Sequence, residues 1–174
     1  MLRFETALGT CGIAWSDAGV TGVLLPGSRV LNGHDGAGGQ AESAAVPDSV
    51  RDAVTAIVSL LDGVREDLRW VVLDEQRIDP FRRSVYAAAR EIPPGATASY
   101  GDIARAIGKP DAPRAVGHAL GENPFPIVVP CHRVLSSAGA LHGFSAPGGI
   151  VTKRRMLEIE RAPGFTQLSL LGSG

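Results

Sequence analysis

The chain has 174 residues, of which 44% are hydrophobic and 20% charged, and its formal net charge is −1. This is the composition of an ordinary globular protein and excludes a disordered or fibrous chain. Two cysteines without a C-x-x-C pairing exclude a disulfide-rich scaffold and favour a reducing compartment. No apolar run is long enough to cross a bilayer, and residues 1–5 show no signal-peptide pattern, so we expect a cytoplasmic protein without membrane contact.

Charge is distributed unevenly along the chain. Residues 1–78 carry six Arg and no Lys against eleven acidic residues, a net charge of −5. Residues 79–160 carry ten basic residues against seven acidic ones, a net charge of +3. A polyanion would therefore face the second segment, although this charge is modest for a DNA-binding surface.

The first segment has the pattern of a small sheet with one helix. Clustered apolar residues beside glycines at 4–6, 12–15 and 19–25 predict two or three short antiparallel strands. Residues 31–45 are rich in Gly and Ala and predict a loop. Apolar spacing predicts a helix over 48–61, capped by Asp48 and ended by Gly63. Residues 68–73 predict one more strand.

The second segment is predicted to be mostly helical. A helix begins near Phe81 and stops at the Pro-Pro-Gly of residues 93–95. Ser99 caps a second short helix, and Pro113 begins a third after a Gly-containing turn. Two short helices joined by a tight turn form a helix-turn-helix pattern. The connection at 74–80 is the candidate boundary between domains 1–78 and 79–174.

A chemically distinctive stretch lies at residues 123–134. The apolar run 125–129 predicts a buried segment, and it ends at Pro130 directly before Cys131, His132 and Arg133. A cysteine in basic surroundings has the conditions that lower a thiol's pKa and make it a nucleophile. The alternative is a small core cysteine, because free Cys is among the most buried residue types.

The motifs of this segment resemble those of one protein family. They are PCHRV at 130–134, NP at 123–124, IPPG at 92–95, SYGDIA at 99–104 and RAVG at 114–117, followed by residues 139–149, Lys153 and Glu160. Together they resemble the O6-alkylguanine-DNA alkyltransferases. The resemblance implies an α/β (α+β) protein, with a small N-terminal antiparallel-sheet and helix domain that is ribonuclease H-like. A mostly helical winged helix-turn-helix domain would follow it.

The resemblance implies a catalytic group of three residues. Cys131 would be the nucleophile, His132 its base through a bound water, and Glu160 the group that orients His132 and stabilises its charged form. A nucleophile, a base and an orienting carboxylate form the arrangement of other thiol catalysts. Without the resemblance, Glu160 would be interpreted as an exposed carboxylate on a helix with Met156 and Ile159 facing inward.

The resemblance also implies five binding or positioning residues. Tyr100 would donate its hydroxyl to a ring nitrogen of the base, and Arg114 would fill the space left by a flipped guanine. Asn123 would hold the turn before the Cys131 strand, whereas Arg133 would bond carbonyls or a carboxylate inside the protein. A backbone amide near Ser145 would bond the guanine oxygen.

The implied function is direct reversal of DNA damage. The partner would be double-stranded DNA carrying alkylated guanine, with thymine alkylated at O4 as a possible second substrate. The alkyl group would pass to Cys131 once per molecule, in a monomer associated with the nucleoid through DNA. We expect no cofactor and no metal, because Cys11 and His34 are too few soft ligands for the structural zinc site of some relatives.

Three other functions remain possible at this point. A non-catalytic binder of alkylated DNA would lack the reactive cysteine, and a winged-helix transcription regulator would need a polar recognition helix. A thiol hydrolase would turn over many times. His118 and Glu122 depart from the family pattern, because a small residue is usual at the first position and a carboxylate at the second would repel phosphates.

Overall fold

The structure is a computed structural model that describes residues 1–32, 45–141 and 148–165. His34, His142, Ser145 and the tail from 166 to 174 lie outside the described residues, so the expectations for them stay predictions. In the described part of the chain, no helix is both long and apolar enough to span a bilayer.

The N-terminal sheet consists of three antiparallel strands in the order of the sequence. They are β1 (Leu2–Thr6), β2 (Gly9–Ser16) and β3 (Gly19–Leu24). Gly19 has a φ of 143°, and a Cβ there would lie 2.7 Å from the carbonyl oxygen of Val72, so the β2–β3 turn requires glycine. The predicted antiparallel strands are confirmed.

Two helices follow, α1 (Arg29–Asn32) and α2 (Asp48–Leu61). The apolar face of α2 is buried, as the spacing predicts, and Gly63 ends the helix with a φ of 94°. The prediction that Asp48 caps α2 is wrong. Asp48 lies inside the first turn, and its carboxylate accepts a hydrogen bond of 2.6 Å from Arg51 instead.

The predicted strand at 68–73 is also wrong. Only an isolated bridge joins Leu73 to Val20. The reason is competition for backbone groups, because Nη2 of Arg90 takes the carbonyls of Leu68, Arg69 and Val71 at 2.8–3.0 Å. These contacts and a 3.1 Å bond from the Val71 amide to the Leu68 carbonyl hold residues 68–71 as a turn.

The predicted helices of the second segment are confirmed as α3 (Pro80–Arg90), α4 (Tyr100–Ala106) and α5 (Pro113–Gly121). Asp79 caps α3, and Ser99 forms a capping box with Asp102 at the start of α4. Pro113 occupies the first turn of α5, where its missing N–H costs nothing.

The stretch around Cys131 is irregular. Residues 125–129 are buried as predicted, but they form a turn in which Ile127 has a φ of 75°. Cys131 does not end a strand, because it begins a 3₁₀ turn (Cys131–Arg133). The short β5 (Val134–Leu135) follows and pairs in parallel with β4 (Ala98–Ser99), and α6 (Gly149–Ile159) packs against the 3₁₀ turn.

One hydrophobic core connects both segments. Buried residues of β2, β3 and α2 belong to the same cluster as those of α3, α4 and α5, together with the run 125–129 and Cys131. Residues on both sides of the predicted boundary between 78 and 79 therefore contribute to the same core. The division into two domains stays a prediction.

Candidate functional site

Cys131 is held at the end of a turn that Asn123 fixes. The Asn123 amide donates a 3.0 Å hydrogen bond to the carbonyl of Val129, and its oxygen accepts one of 2.9 Å from the Phe125 amide. These bonds span the irregular turn directly before Pro130 and Cys131. These bonds support the positioning role predicted for Asn123.

His132, Arg133 and Glu160 form a buried network next to Cys131. Nε2 of His132 lies 2.8 Å from Oε1 of Glu160, and Arg133 donates to both carboxylate oxygens at 2.7 and 2.9 Å. Arg133 also donates to the carbonyl of Ile92 at 2.7 Å. Its guanidinium is used inside the protein, so its position does not support a contact with a substrate.

The remaining ring nitrogen of His132 is free for other chemistry. An ionised carboxylate only accepts hydrogen bonds, so Nε2 carries the hydrogen that faces Glu160. Nδ1 of a neutral imidazole is then a lone pair. It is buried without a hydrogen-bond partner among the described residues, although His132 is only 1% exposed. A buried, unpaired acceptor is uncommon in folded proteins, so Nδ1 is a candidate to bind a water molecule or a reacting group.

The pKa shifts favour a neutral thiol and a neutral imidazole in the resting protein. Burial raises the pKa of Cys131, while a hydrogen bond from Asn123 and the charge of Lys153 act in the opposite direction. Burial also lowers the pKa of His132 and outweighs the effect of Glu160. The expectation of a lowered thiol pKa is therefore wrong for the resting state, because desolvation is the largest influence.

Glu160 remains ionised in this setting. Burial alone would raise its pKa, but His132 and Arg133 lower it to about 2. An ionised carboxylate at Nε2 favours the imidazolium that forms when His132 accepts a proton at Nδ1. The site therefore contains a thiol, a proton acceptor and a group that stabilises the protonated acceptor.

Lys153 is a site residue to which sequence reasoning assigned no role. It lies on α6, is 1% exposed, and donates a 2.8 Å hydrogen bond to the carbonyl of Val134. Its charge lowers the pKa of Cys131, while burial lowers its own pKa. The sequence contained one signal that could have identified Lys153 as a site residue. Lys153 and Glu160 are seven residues apart and therefore lie on the same helix face.

Tyr100 lies at the start of α4 against α5. A Cβ at Gly117 would lie 3.6 Å from the Tyr100 ring, so the ring packs on the bare backbone of α5. Tyr100 is half-buried, and burial followed by the charge of Cys131 raises its pKa. The hydroxyl therefore keeps its proton and can donate a hydrogen bond near the thiol.

Arg114 lies on the exposed surface of α5, apart from the buried network. Its exposure agrees with a role in contacting a partner. Glu122, which the sequence suggested would repel phosphates, lies 3.4 Å from Arg82 and 3.7 Å from His118. Its charge is thus partly compensated within the protein.

Both cysteines of the chain are buried. Cys131 is 8% exposed, whereas Cys11 is fully buried and its pKa is raised, chiefly by burial. A cavity of about 410 Å³ is lined by Pro130 and Arg133 with residues of 65–69 and 90–94. Neither Cys131 nor Tyr100 lines that cavity, so it is not the reaction pocket.

The second half of the chain matches a known protein family. Residues 80–162 match the family model of the 6-O-methylguanine DNA methyltransferase, DNA binding domain. A methylated-DNA–protein-cysteine methyltransferase of Methanothermobacter thermautotrophicus is 34% identical over 86% of this chain and 78% of the relative. A protein of the same name from Mycobacterium tuberculosis is 48% identical over 58% of this chain and 59% of the relative.

Solved structures of similar proteins superpose on nearly the whole chain. The crystal structure of Mycobacterium tuberculosis OGT in complex with DNA has a TM-score of 0.69 and 32% identity, and the match covers 94% of each chain. The O6-methylguanine-DNA methyltransferase of Pyrococcus kodakaraensis KOD1 has a TM-score of 0.63 and 29% identity, covering 91% of this chain and 96% of the other. Both resemble this chain in its mixed arrangement of a small antiparallel sheet and helices.

Proposed function

The chain belongs to the methylated-DNA–protein-cysteine methyltransferase family, and from this premise we propose that it repairs alkylated DNA by direct reversal. It transfers a methyl or larger alkyl group from O6 of guanine to Sγ of its own Cys131. Thymine alkylated at O4 is a second substrate. The transfer is irreversible and occurs once per molecule.

One observation carries this proposal. A buried carboxylate, Glu160, bonds Nε2 of His132 at 2.8 Å, and the adjacent Nδ1 has no partner among the described residues. Cys131 directly precedes His132 in the chain and is buried, with 8% of the residue exposed. This geometry supports proton transfer from the thiol to Nδ1 through a bridging water molecule.

The chemical step begins with that proton transfer. His132 becomes an imidazolium whose charge faces Glu160, while Lys153 and the Asn123 amide stabilise the thiolate. The thiolate then attacks the alkyl carbon in line with the carbon–oxygen bond. A bond forms between Sγ and carbon, the bond to O6 breaks, and its electron pair passes to the guanine.

The leaving guanine needs a proton donor and access to the site. Tyr100 donates a hydrogen bond to a ring nitrogen as negative charge develops on the base. The proton lost by the thiol balances the proton that guanine gains. An alkyl group inside the duplex is out of reach, so the base is rotated out and Arg114 fills its space.

The product of the transfer explains why each protein molecule reacts only once. Sγ becomes a thioether, and no group in the described site is placed to regenerate a thiol from a carbon–sulfur bond. The chain requires no cofactor for this chemistry. Each molecule is therefore a stoichiometric reagent.

We extend the proposal to the finer organisation of the chain. Residues 1–78 form a ribonuclease H-like domain, and residues 79–174 form a winged helix-turn-helix domain in which α4 and α5 are the helix pair. The partner is duplex DNA bound by a monomer, in the cytoplasm and associated with the nucleoid. The +3 charge of residues 79–160 supports this orientation toward DNA.

The direct test is incubation with a duplex containing O6-methylguanine, followed by intact-protein mass measurement and peptide mapping. We expect a gain of one methyl group per molecule, located on Cys131. The Cys131→Ser variant should bind the duplex without gaining mass. Methylation at Cys11 would overturn the site assignment.

The same experiment separates the alternatives. With excess substrate, an alkyltransferase consumes one equivalent, a thiol hydrolase consumes many, and a pure binder consumes none. A transcription regulator would show a sequence preference on undamaged DNA and no mass change.

A further inference from the structure

The exposed face of α5 carries three charged or titratable residues in a row. Arg114, His118 and Glu122 are spaced four residues apart, so they lie one above the other on the helix surface. The side chain of His118 is 78% exposed. Both buried residues of the middle of α5, Val116 and Ala119, face the opposite direction into the core.

The carboxylate beside His118 shares its counter-ion with a second carboxylate. Nδ1 of His118 lies 3.7 Å from Glu122, which also lies 3.4 Å from Arg82. Arg82 in turn bonds Asp79 on α3 at 2.6 Å. A single guanidinium therefore serves two carboxylates. The Tyr86 hydroxyl of α3 donates to the Ala119 carbonyl of α5.

We propose that His118 contacts the DNA backbone in its protonated form, so that duplex binding takes up a proton at this residue. The inference rests on the proposed function, because it requires α5 to face DNA. A phosphate and Glu122 on either side of the imidazole both stabilise its positive charge. The protonated ring also offsets the charge of Glu122, which lies beside it and would otherwise repel the phosphates.

This contact gives binding a defined pH dependence. Histidine is the side chain whose charge ordinarily changes within the physiological pH range. A polyanion favours the charged form, so affinity is high at pH 6 and the gain is lost as pH rises. The contact also adds one neutralised phosphate, and each such contact steepens the salt dependence of affinity.

The test uses an unmodified duplex, to which no alkyl group can be lost, and compares the native chain with His118→Gln. Fluorescence anisotropy is measured at pH 6 and pH 8 over a series of salt concentrations. The native chain should bind about threefold to tenfold more tightly at pH 6, with a slope of log affinity against log salt steeper by about one. His118→Gln should show neither difference.

Glu122→Gln is the matched control on the same face. It removes the repelling carboxylate, so we expect tighter binding at pH 8, with the pH dependence retained through His118. Circular dichroism at both pH values checks that all three proteins remain folded. Unchanged pH dependence in His118→Gln would overturn the inference and assign the proton to another group.

The binding test of His118 and the methylation test of the proposed function can fail independently. Methylation of Cys131 together with unchanged pH dependence in His118→Gln refutes only the role of His118. No methylation of Cys131 refutes the repair activity. No binding to duplex DNA refutes both.

Discussion

His132 and Glu160 are 28 residues apart in the sequence, yet Nε2 and Oε1 are 2.8 Å apart in the folded chain. The contact exists because α6 packs against the 3₁₀ turn that contains Cys131. Arg133 clamps the same carboxylate from the other side. The Glu160 carboxylate thus orients His132, the proposed base. It also joins the end of α6 to the 3₁₀ turn that begins at Cys131.

Glu160→Gln should destabilise the protein in a pH-dependent manner. The pKa of Glu160 falls from an ordinary 4.5 to about 2 on folding, so its contribution is present above pH 4.5 and is lost as pH falls toward 2. We expect a loss of roughly 3 kcal/mol in the free energy of unfolding at pH 7, shrinking toward zero near pH 2.

Urea unfolding at pH 7, 5 and 3 measures this difference. Glu158→Gln, two residues earlier and only partly buried, is the control and should cost much less. An equal loss for both variants at pH 7 would contradict the role of the buried network.

Tyr100→Phe should slow alkyl transfer without weakening DNA binding. The ring would keep its packing against Gly117, while the hydroxyl that donates to the leaving base is lost. Removing one such donor costs roughly a hundredfold in rate. Single-turnover transfer to Cys131 measures the effect.

Tyr86→Phe is the matched control, because Tyr86 is the only other tyrosine in the chain. Its hydroxyl donates to the Ala119 carbonyl and is fully buried. We expect a stability loss of about 1 kcal/mol and little change in transfer rate. A slower transfer in Tyr86→Phe together with an unchanged transfer rate in Tyr100→Phe would contradict the role assigned to Tyr100.

Arg114→Ala should slow transfer from duplex DNA far more than transfer from a free O6-alkylated guanine base. A free base needs no extrusion from a stack, so it does not use Arg114. The loss on duplex should be about tenfold to a hundredfold, since extrusion costs a few kcal/mol. Equal losses on both substrates would remove the base-flipping role.

Arg51→Ala controls for the general loss of a surface positive charge. Arg51 lies on α2 and pairs with Asp48 on the exposed surface of the first segment. It should leave both transfer rates unchanged.

Lys153→Met should shift the alkylation of Cys131 to higher pH. The charge of Lys153 lowers the pKa of the thiol, so its removal raises that pKa and reduces the thiolate at neutral pH. The rate at pH 7 should fall about tenfold for each unit of pKa. The pH profile of the reaction with a free O6-alkylguanine base measures the shift.

Lys109→Met is the matched control, because Lys109 is the only other lysine and lies over the Phe81 ring in the turn between α4 and α5. Its profile should match that of the native chain. A Lys153→Met profile of unchanged midpoint would show that Lys153 serves only to bond Val134.

Local sequence determined the regular elements where local interactions dominate. The capping box at Ser99, the proline at the start of α5 and the glycine after α2 each fix a boundary through bonds within a few residues. The sequence also singled out Cys131, because PCHRV is a contiguous motif. Its prediction of a strand at 68–73 was wrong because Arg90, about twenty residues away, takes the carbonyls.

The chemistry of the site depended on contacts that no local pattern contains. The sequence by itself determined which side chains are available: a thiol, an imidazole and a carboxylate at residues 131, 132 and 160. Only the tertiary structure decided that the carboxylate reaches the imidazole, that Arg133 is used internally and that Lys153 is buried near the thiol. The physical reason is that burial and charged neighbours set the protonation of these groups, and both are properties of the packed chain.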